Sequence, residues 1–359
     1  LKSRGLYCYE YSSLERTPSA RPAKLNQRQL PLLCRQLAAM LTAGVPLSRA
    51  LEVSAGSARD KTLKAALAGL RENIHKGRTL SEAMEEMKGV FPNLLIYMTR
   101  TGESSGRLDE LLHKMAGYYG REEELNGKVR AAMTYPVILF SITVMAAVFM
   151  LTMVLPRFAS MLQEQELPWI TRMMMRLSFS LCSHGFLYIM LILILMALFK
   201  GILKCPSVRL QADRAVLYTP IIGKLLRTVY TSRFASAFAV LYGSGIGILD
   251  AMHTVGRVMG NSYVEKGLAQ AAERLKGGVM LSQALEEQDL FQPVLISMVA
   301  AGEESGALDM VLEDAGSFYE KEAARAVNQM IALLEPAMIL ILALVVGSVV
   351  MAIMMPGFN

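Results

Sequence analysis

Charge is what this sequence is short of. Asp, Glu, Lys and Arg make up 19% of the 359 residues while 53% are hydrophobic, against about 25% and 45–50% in soluble domains, and the mean hydropathy is +0.35. A chain of that composition places part of its length in lipid. Cysteine is scarce and scattered. Cys8, Cys34, Cys182 and Cys205 form no CxxC pair and no disulfide-like framework, and they fit small buried thiols in a reducing or membrane environment. The four histidines (His75, His113, His184, His253) lie far apart and make no HExxH, so a zinc-protease centre is excluded. Gly127-Lys128 and Gly223-Lys224 lack the upstream glycine of a phosphate-binding loop, so the chain should not hydrolyse ATP itself. The net charge of +6 comes with no basic strip interleaved with aromatics, which argues against nucleic acid as a partner. Methionine alone is in excess, with 25 residues, several of them in apolar runs where the thioether serves as soft filler.

Three runs are long enough to cross a bilayer. Residues 137–155 are uncharged and bracketed by Pro136 and Pro156, residues 177–199 are interrupted only by His184, and residues 337–355 are uncharged between Pro336 and Pro356. Nineteen helical residues cover about 28 Å, the thickness of the hydrocarbon layer. None of the three lies near the N-terminus, so a cleaved leader does not account for them. One set of flanks holds Arg121, Lys128, Arg130, Lys200, Lys204, Arg209, Arg214, Lys321 and Arg325, and the opposite set only Arg157, Arg172 and Arg176. The basic side should be cytoplasmic. The expected order is a short N-terminal tail (1–25), a cytoplasmic domain (26–135), a first span (136–156), an outer loop (157–176), a second span (177–199), a second cytoplasmic domain (200–335), a third span (336–355) and an outer tail (356–359). Charge divides unevenly between the two inner regions: residues 1–135 hold 21 Lys and Arg against 14 Asp and Glu, residues 200–335 hold 13 against 15. A basic face meeting anionic lipid or an acidic partner is the simplest account.

The chain also repeats itself. Thr101-Gly102-Glu103-Ser104-Ser105-Gly106-Arg107-Leu108-Asp109 returns 200 residues later as Ala301-Gly302-Glu303-Glu304-Ser305-Gly306-Ala307-Leu308-Asp309, and the same offset pairs Tyr119 with Tyr319 and Pro136 with Pro336. An offset of 201 pairs Gly44 with Gly245, Gly77 with Gly278 and Leu80-Ser81 with Leu281-Ser282. Each inner domain is thus one copy of a helical unit that runs into a span. Within copy 1, apolar residues recur at helical spacing over 30–41 and Gly44 and Pro46 mark a stop and restart. Asp60 caps a third helix ending at Gly77, and Thr79-x-x-Glu82 has capping-box spacing before a short fourth. Pro92 belongs in the first turn of a fifth helix, and a sixth begins near Gly106 and continues into the first span. Only residues 6–11 alternate with period two. The fold class is therefore an all-α membrane protein of two homologous cytoplasmic six-helix bundles and three transmembrane helices.

Gly102-Glu103-Ser104-Ser105-Gly106 formally matches G-x-S-x-G, but its flanks are helical and the second copy replaces Ser104 with Glu304. A hydrolase elbow needs a strand-turn-helix and a histidine partner. On the structural reading, Gly102 ends one helix in the left-handed conformation and Ser105 caps the next. Glu103 and Glu303 then stand as helix-terminus carboxylates, weak candidates for a metal cation, or contacts for a partner. The glycine-dense Gly243–Gly247 stretch reads as the turn equivalent to Gly44-Val45-Pro46. The spans carry no Asp, Glu, Lys or Arg, where pumps and transporters keep ionisable groups. A transporter or channel subunit is nonetheless the alternative to an assembly role.

Taken together these residues resemble the secretion F / PilC family of type II secretion and type IV pilus assembly machines, from about residue 25 onward. Residues 37–51 (LAAMLTAGVPLSRAL) resemble the family's opening helix and turn, and residues 238–252 its second copy. The paired Gly102-Glu103-x-x-Gly106-x-Leu108 and Gly302-Glu303-x-x-Gly306-x-Leu308 are similar to its most recognisable element. Tyr135-Pro136, Val154-Leu155-Pro156-Arg157-Phe158, Arg233-Phe234-Ala235, residues 220–225 and Glu335-Pro336 look like further landmarks. The resemblance implies a non-enzymatic inner-membrane platform without cofactor. Its cytoplasmic domains would bind a hexameric secretion or pilus assembly ATPase. Its spans would meet pilin or pseudopilin transmembrane helices and other inner-membrane assembly components, and the chain would act as a homo-dimer or tetramer in a secretion, motility-pilus or competence machine. Topology reporters fused at Leu70 and Leu268 should both score cytoplasmic; opposite sides would overturn the three-span order.

Overall fold

A computed structural model describes residues 25–154, 157, 169–202, 205–220 and 222–354. Every element among them is helical, with no strand. The expected N-terminal tail apart from Leu25, including the alternating residues 6–11, lies outside the described residues, as do most of the outer loop and the tail 356–359. The chain divides into two compact units, Leu1–Gly120 and Arg121–Asn359.

The first unit holds α1 (Leu30–Thr42), α2 (Leu47–Ser57), α3 (Lys61–His75), α4 (Leu80–Glu86), α5 (Asn93–Ser105) and the opening turns of α6 (Leu108–Phe149). In α1 the buried residues Leu30, Leu33, Cys34, Leu37 and Ala38 fall at i, i+3, i+4, i+7 and i+8, one face of a helix. Burial pushes the Cys34 thiol up to about 12, so it behaves as a hydrophobe. The expected caps are present. Asp60 Oδ1 accepts from the amides of Thr62 at 2.7 Å and Leu63 at 3.1 Å, and Thr79 and Glu82 bond reciprocally at 3.2 and 3.1 Å, closing the box that starts α4. Pro92 sits one position earlier than expected, as the residue before α5. Leu51, Leu67, Leu70, Leu80, Leu94 and Met98 are sealed from solvent, each burial stabilising by about 1.5–3 kcal/mol.

Two expectations at the α5–α6 junction are corrected. The helix does not stop at Gly102; it continues to Ser105, and Gly106 takes the left-handed φ of 68°. Gly102 is a glycine for another reason: a Cβ there would lie 2.9 Å from Leu108 Cα, so only a bare backbone lets α6 start so close. Nor does Ser105 cap α6. Its hydroxyl donates back to the Thr101 carbonyl at 2.8 Å, because the chain is still helical there.

The second unit repeats this order. It contains α7 (Trp169–Ile202), α8 (Pro206–Leu217), α9 (Ile222–Tyr242), α10 (Ile248–Val258), α11 (Ser262–Lys276), α12 (Leu281–Glu286), α13 (Pro293–Ser305) and α14 (Leu308–Met354). Phe234 packs on Phe238 and Phe291 with ring centroids 5.3 and 4.6 Å apart. Asn261 opens α11 as Asp60 opens α3, accepting from Tyr263 and Val264. α14 lies close on α9, where a Cβ on Gly316 would stand 3.2 Å from Ser236 Cα. Among the described residues α8 has no counterpart in the first unit, and it packs on α9 and α11; the expected six helices of the second copy are thus seven, because the sequence reading did not set α8 apart.

The apolar runs are helical. α6 and α14 pass from their compact portions into them without a break, with Pro136 and Pro336 inside the helices. Each proline leaves one carbonyl of the preceding turn without its amide partner. Two helical stretches are long and apolar enough to cross a membrane, Leu108–Val154 and Leu308–Leu344, and α7 contains a shorter apolar stretch, Phe186–Leu198. α7 departs from helical geometry at His184 (φ −124°, ψ 18°). Ile138, Phe140, Ile142, Met145 and Phe149 of α6 all stand exposed, a surface that water does not tolerate over such a length and lipid does.

Replacing Gly102 with Ala should lower stability by about 1–3 kcal/mol through overpacking on Leu108. Gly56→Ala in α2, where an added Cβ meets nothing within 4 Å, should be neutral or stabilise by up to about 1 kcal/mol. Denaturation midpoints of the detergent-solubilised variants check the contrast.

Candidate functional site

The shortest helices locate the repeated Gly-Glu motif. α4 has seven residues and α12 six, too few to persist on their own hydrogen bonds, and the first amides of any helix lack acceptors within it. In copy 1 a residue from the end of α5 supplies them. Glu103 Oε1 accepts from the Leu80 amide at 2.5 Å, and Oε2 accepts from the Ser81 amide at 3.2 Å and the Ser81 hydroxyl at 2.6 Å. In copy 2 Glu303 does the same, with Oε1 accepting from Leu281 at 2.6 Å and Oε2 from Ser282 at 2.9 Å. The carboxylate also faces the positive end of the helix dipole, a second favourable contribution. Copy 1 adds the Thr79 box; in copy 2 the equivalent residue is Met280, which gives no side-chain cap. There Glu303 holds the α12 start without that help.

The remaining motif residues complete a joint. Gly102 and Gly302 are buried and admit Leu108 and Leu308 at backbone distance. Gly106 and Gly306, both with φ 68°, turn the chain into the long helices, and Leu308 is buried beneath its turn. Thr42 adds a tie by donating to Asp109 Oδ2 at 3.1 Å. One glutamate thereby fastens α4 to α5 next to the start of α6, and its equivalent fastens α12 to α13 next to the start of α14.

Chemically the joint is a carboxylate whose two oxygens are already engaged by N–H and O–H donors. Among the described residues no three of His, Cys, Asp and Glu gather as a metal site. Ser104 is exposed, and its hydroxyl donates to the Thr101 carbonyl at 3.0 Å, a surface position with no base in hydrogen-bond contact.

The other candidate residues do not converge on this joint. Gly44 and Gly245 sit in the α1–α2 and α9–α10 turns with φ of 78° and 82°. Tyr135 and Pro136 lie on α6, about 40 Å along the helix from Leu108, Tyr135 exposed and Pro136 buried. Glu335 and Pro336 occupy the equivalent place on α14. Arg233 on α9 faces Glu122 at 3.5 Å, with Arg121 and Glu320 paired at 3.6 Å. Burial holds the Glu320 carboxyl above the usual range despite Arg121. Sequence reading found Arg233 as a landmark and missed Glu122 and Glu320, whose partners are too remote in the chain to leave a local pattern.

A sequence profile of the family described as type II secretion system (T2SS), protein F, matches residues 33–156 and, again, 234–356. The two matches reproduce the internal repeat and leave α7 and α8 between them. The chain is 34% identical over 375 residues to a type IV pilus assembly protein PilC of Thermus thermophilus, covering all of this chain and 90% of the relative. It is 36% identical over 328 residues to a type 4 fimbrial assembly protein PilC of Pseudomonas putida, covering 90% and 82%. To a type II secretion system protein F of Vibrio cholerae it is 33% identical over 329 residues, covering 91% and 81%.

Glu103→Ala should destabilise the protein by about 1–3 kcal/mol, because it strands two amides and a hydroxyl, and should speed amide exchange at Leu80 and Ser81. Ser104→Ala should change neither. Unaltered exchange at Leu80 in the Glu103 variant would remove the glutamate from its structural role.

Proposed function

Because this chain belongs to the type II secretion system protein F family, we propose that it is the inner-membrane platform of a secretion or pilus assembly machine, coupling a cytoplasmic assembly ATPase to the polymerisation of pilin or pseudopilin subunits. The observation that carries the reading is the unbroken passage of α6 and α14 from a family-type helical unit into an apolar stretch of membrane length. A continuous helix, even one that lacks a single bond at Pro136 or Pro336, transmits a displacement or rotation along its axis, whereas a loop would absorb it.

On this reading residues 26–135 and 200–335 are helical bundles on the cytoplasmic side, the first of six helices and the second of seven because α8 is added, and α6, α7 and α14 supply three spans with the N-terminus inside and the C-terminus outside. The bundles bind the ATPase, which performs the hydrolysis; the platform itself is not an enzyme. The spans offer their outward apolar side chains to pilin transmembrane helices and to other inner-membrane components. A homo-dimer or tetramer would match the closed symmetry of a motor beneath it. The Gly102-Glu103 and Gly302-Glu303 joints serve by anchoring the base of each long helix, so that movement of a bundle reaches the span rather than being lost in a loose α4 or α12. Arg233, with Glu122 beside it, acts in the same way where α9 meets the outgoing part of α6.

Insertion of a short Gly-rich segment at Asn126 or Gln329 should leave capture of the ATPase by the solubilised protein intact and abolish pilus or pseudopilus assembly. Assembly that survives both insertions would rule out transmission through the helices, and failure of the unaltered protein to retain either the ATPase or a pilin would remove the platform assignment.

A further inference from the structure

The stretch that separates the two family-type copies is opposite in charge to the body of copy 2. From Lys200 to Arg227 the chain carries six basic residues, Lys200, Lys204, Arg209, Arg214, Lys224 and Arg227, against a single acid, Asp213. From residue 228 to 335 it carries seven basic against fourteen acidic. The near-neutral total of this half therefore hides a segment at +5 followed by a body at −7. The basic segment is also the one the chain keeps near the bilayer. α8 begins at Pro206, after α7 has ended at Ile202, and the intervening residues reach no more than about 14 Å.

α8 has two unlike faces. Its inner face is tied to the copy behind it: Leu217 is buried, Asp213 Oδ2 accepts from the Ser262 amide at 2.7 Å and the Asp213 carbonyl from Asn261 Nδ2 at 3.4 Å. The backbone of α9 presses against it, since a Cβ on Gly223 would fall 2.2 Å from the Leu217 carbonyl oxygen. Arg214 and Arg227 are engaged at that end, stacked 5.8 and 5.0 Å from the Tyr218 ring centroid, with Arg227 also paired to Asp289 at 3.3 Å. The opposite face presents Val208 and Val216, 38% and 43% exposed, on the same side of the helix as Ala212 and Ala215. Arg209 flanks them with its side chain 53% exposed, its Nε 3.8 Å from Asp213 and its Nη2 donating to the Gly260 carbonyl at a long 3.5 Å. A modest apolar stripe beside a basic side chain, in a basic segment next to a span, has the chemistry of a helix lying in the headgroup layer.

We propose that α8 docks on the anionic phospholipid headgroups of the leaflet at which α7 ends, with Val208 and Val216 turned to the bilayer, Arg209 on the phosphates, and Leu217 and Asp213 fastened to copy 2. The acidic body of copy 2 is repelled by that same surface, so α8 orients it as well as tethering it. The inference rests on the reading that α7 crosses the membrane.

The test uses full-length protein with Trp169→Phe, carrying either Val216→Trp or Leu193→Trp, in nanodiscs of brominated phosphatidylcholine with or without brominated phosphatidylglycerol. Leu193 lies in the apolar stretch of α7 and reports crossing. Val216→Trp fluorescence should be quenched roughly twofold more in the anionic discs than in the zwitterionic ones, and Arg209→Gln or ~1 M salt, where the Debye length is about 3 Å, should remove most of that difference. Quenching of Val216→Trp that is absent, or equal in both lipids, overturns the proposal while strong quenching of Leu193→Trp leaves the crossing reading intact. If Leu193→Trp is itself unquenched, α7 does not cross and both readings fall.

Discussion

In both copies the amides that open the shortest helix have no acceptor in their own segment, and a glutamate more than twenty residues further on supplies one. The long helices depend on that arrangement for a firm base. Glu103 grips Leu80 and Ser81 from the last turns of α5, and the glycine just before it admits Leu108 at the start of α6. Leaving that helix start unsatisfied costs on the order of 1–3 kcal/mol, an appreciable share of the 5–15 kcal/mol that separates a folded domain from its unfolded chain. A single carboxylate therefore adds to the buried apolar contacts that hold α4, α5 and the start of α6 together, and Glu303 does the same for α12, α13 and α14.

The copies are equivalent in design and unequal in detail. Copy 1 secures α4 with the Thr79 box, the glutamate and the Ser81 hydroxyl, whereas copy 2 relies on the glutamate and two amides. Copy 2 has an aromatic cluster around Phe234 and the added helix α8, and its charge is distributed in the opposite sense. The aromatic cluster lies in the interior, whereas α8 follows directly on an apolar helix with the acidic body beyond it. A duplicated module whose two versions carry the same joint but different surfaces suits an assembly in which each version meets its own partner.

The proline positions belong to the same picture. Pro136 and Pro336 sit where each long helix turns from a partly polar to a fully apolar sequence, and each removes one backbone hydrogen bond there. In water the freed carbonyl would be solvated. On the proposed reading, which sets both prolines at the edge of a bilayer, the carbonyl can turn to headgroups and interfacial water, so the position costs less than it would deeper in the hydrocarbon.

What the amino-acid sequence determined by itself was local or periodic. The three apolar runs, the 200-residue repeat, Asp60 and Thr79-Glu82 as caps, and the turns at Gly44 and Gly245 are set by contacts within a few residues or by self-similarity, and all can be read along one dimension. The role of Gly102 could not be, because its requirement comes from Leu108 returning on it after a turn, and a glycine near a helix end looks the same whether it turns the chain or makes room for a neighbour. Glu103 was visible as a repeated residue, but its partners at Leu80 and Ser81 are backbone amides, which every residue except proline possesses and which leave no mark in a sequence. The facing of Arg233 and Glu122 and the two-sided packing of α8 likewise joined residues far apart in the chain. Only tertiary structure decided those, since it alone sets which distant donor meets which acceptor and which side of a helix is left for something else to cover.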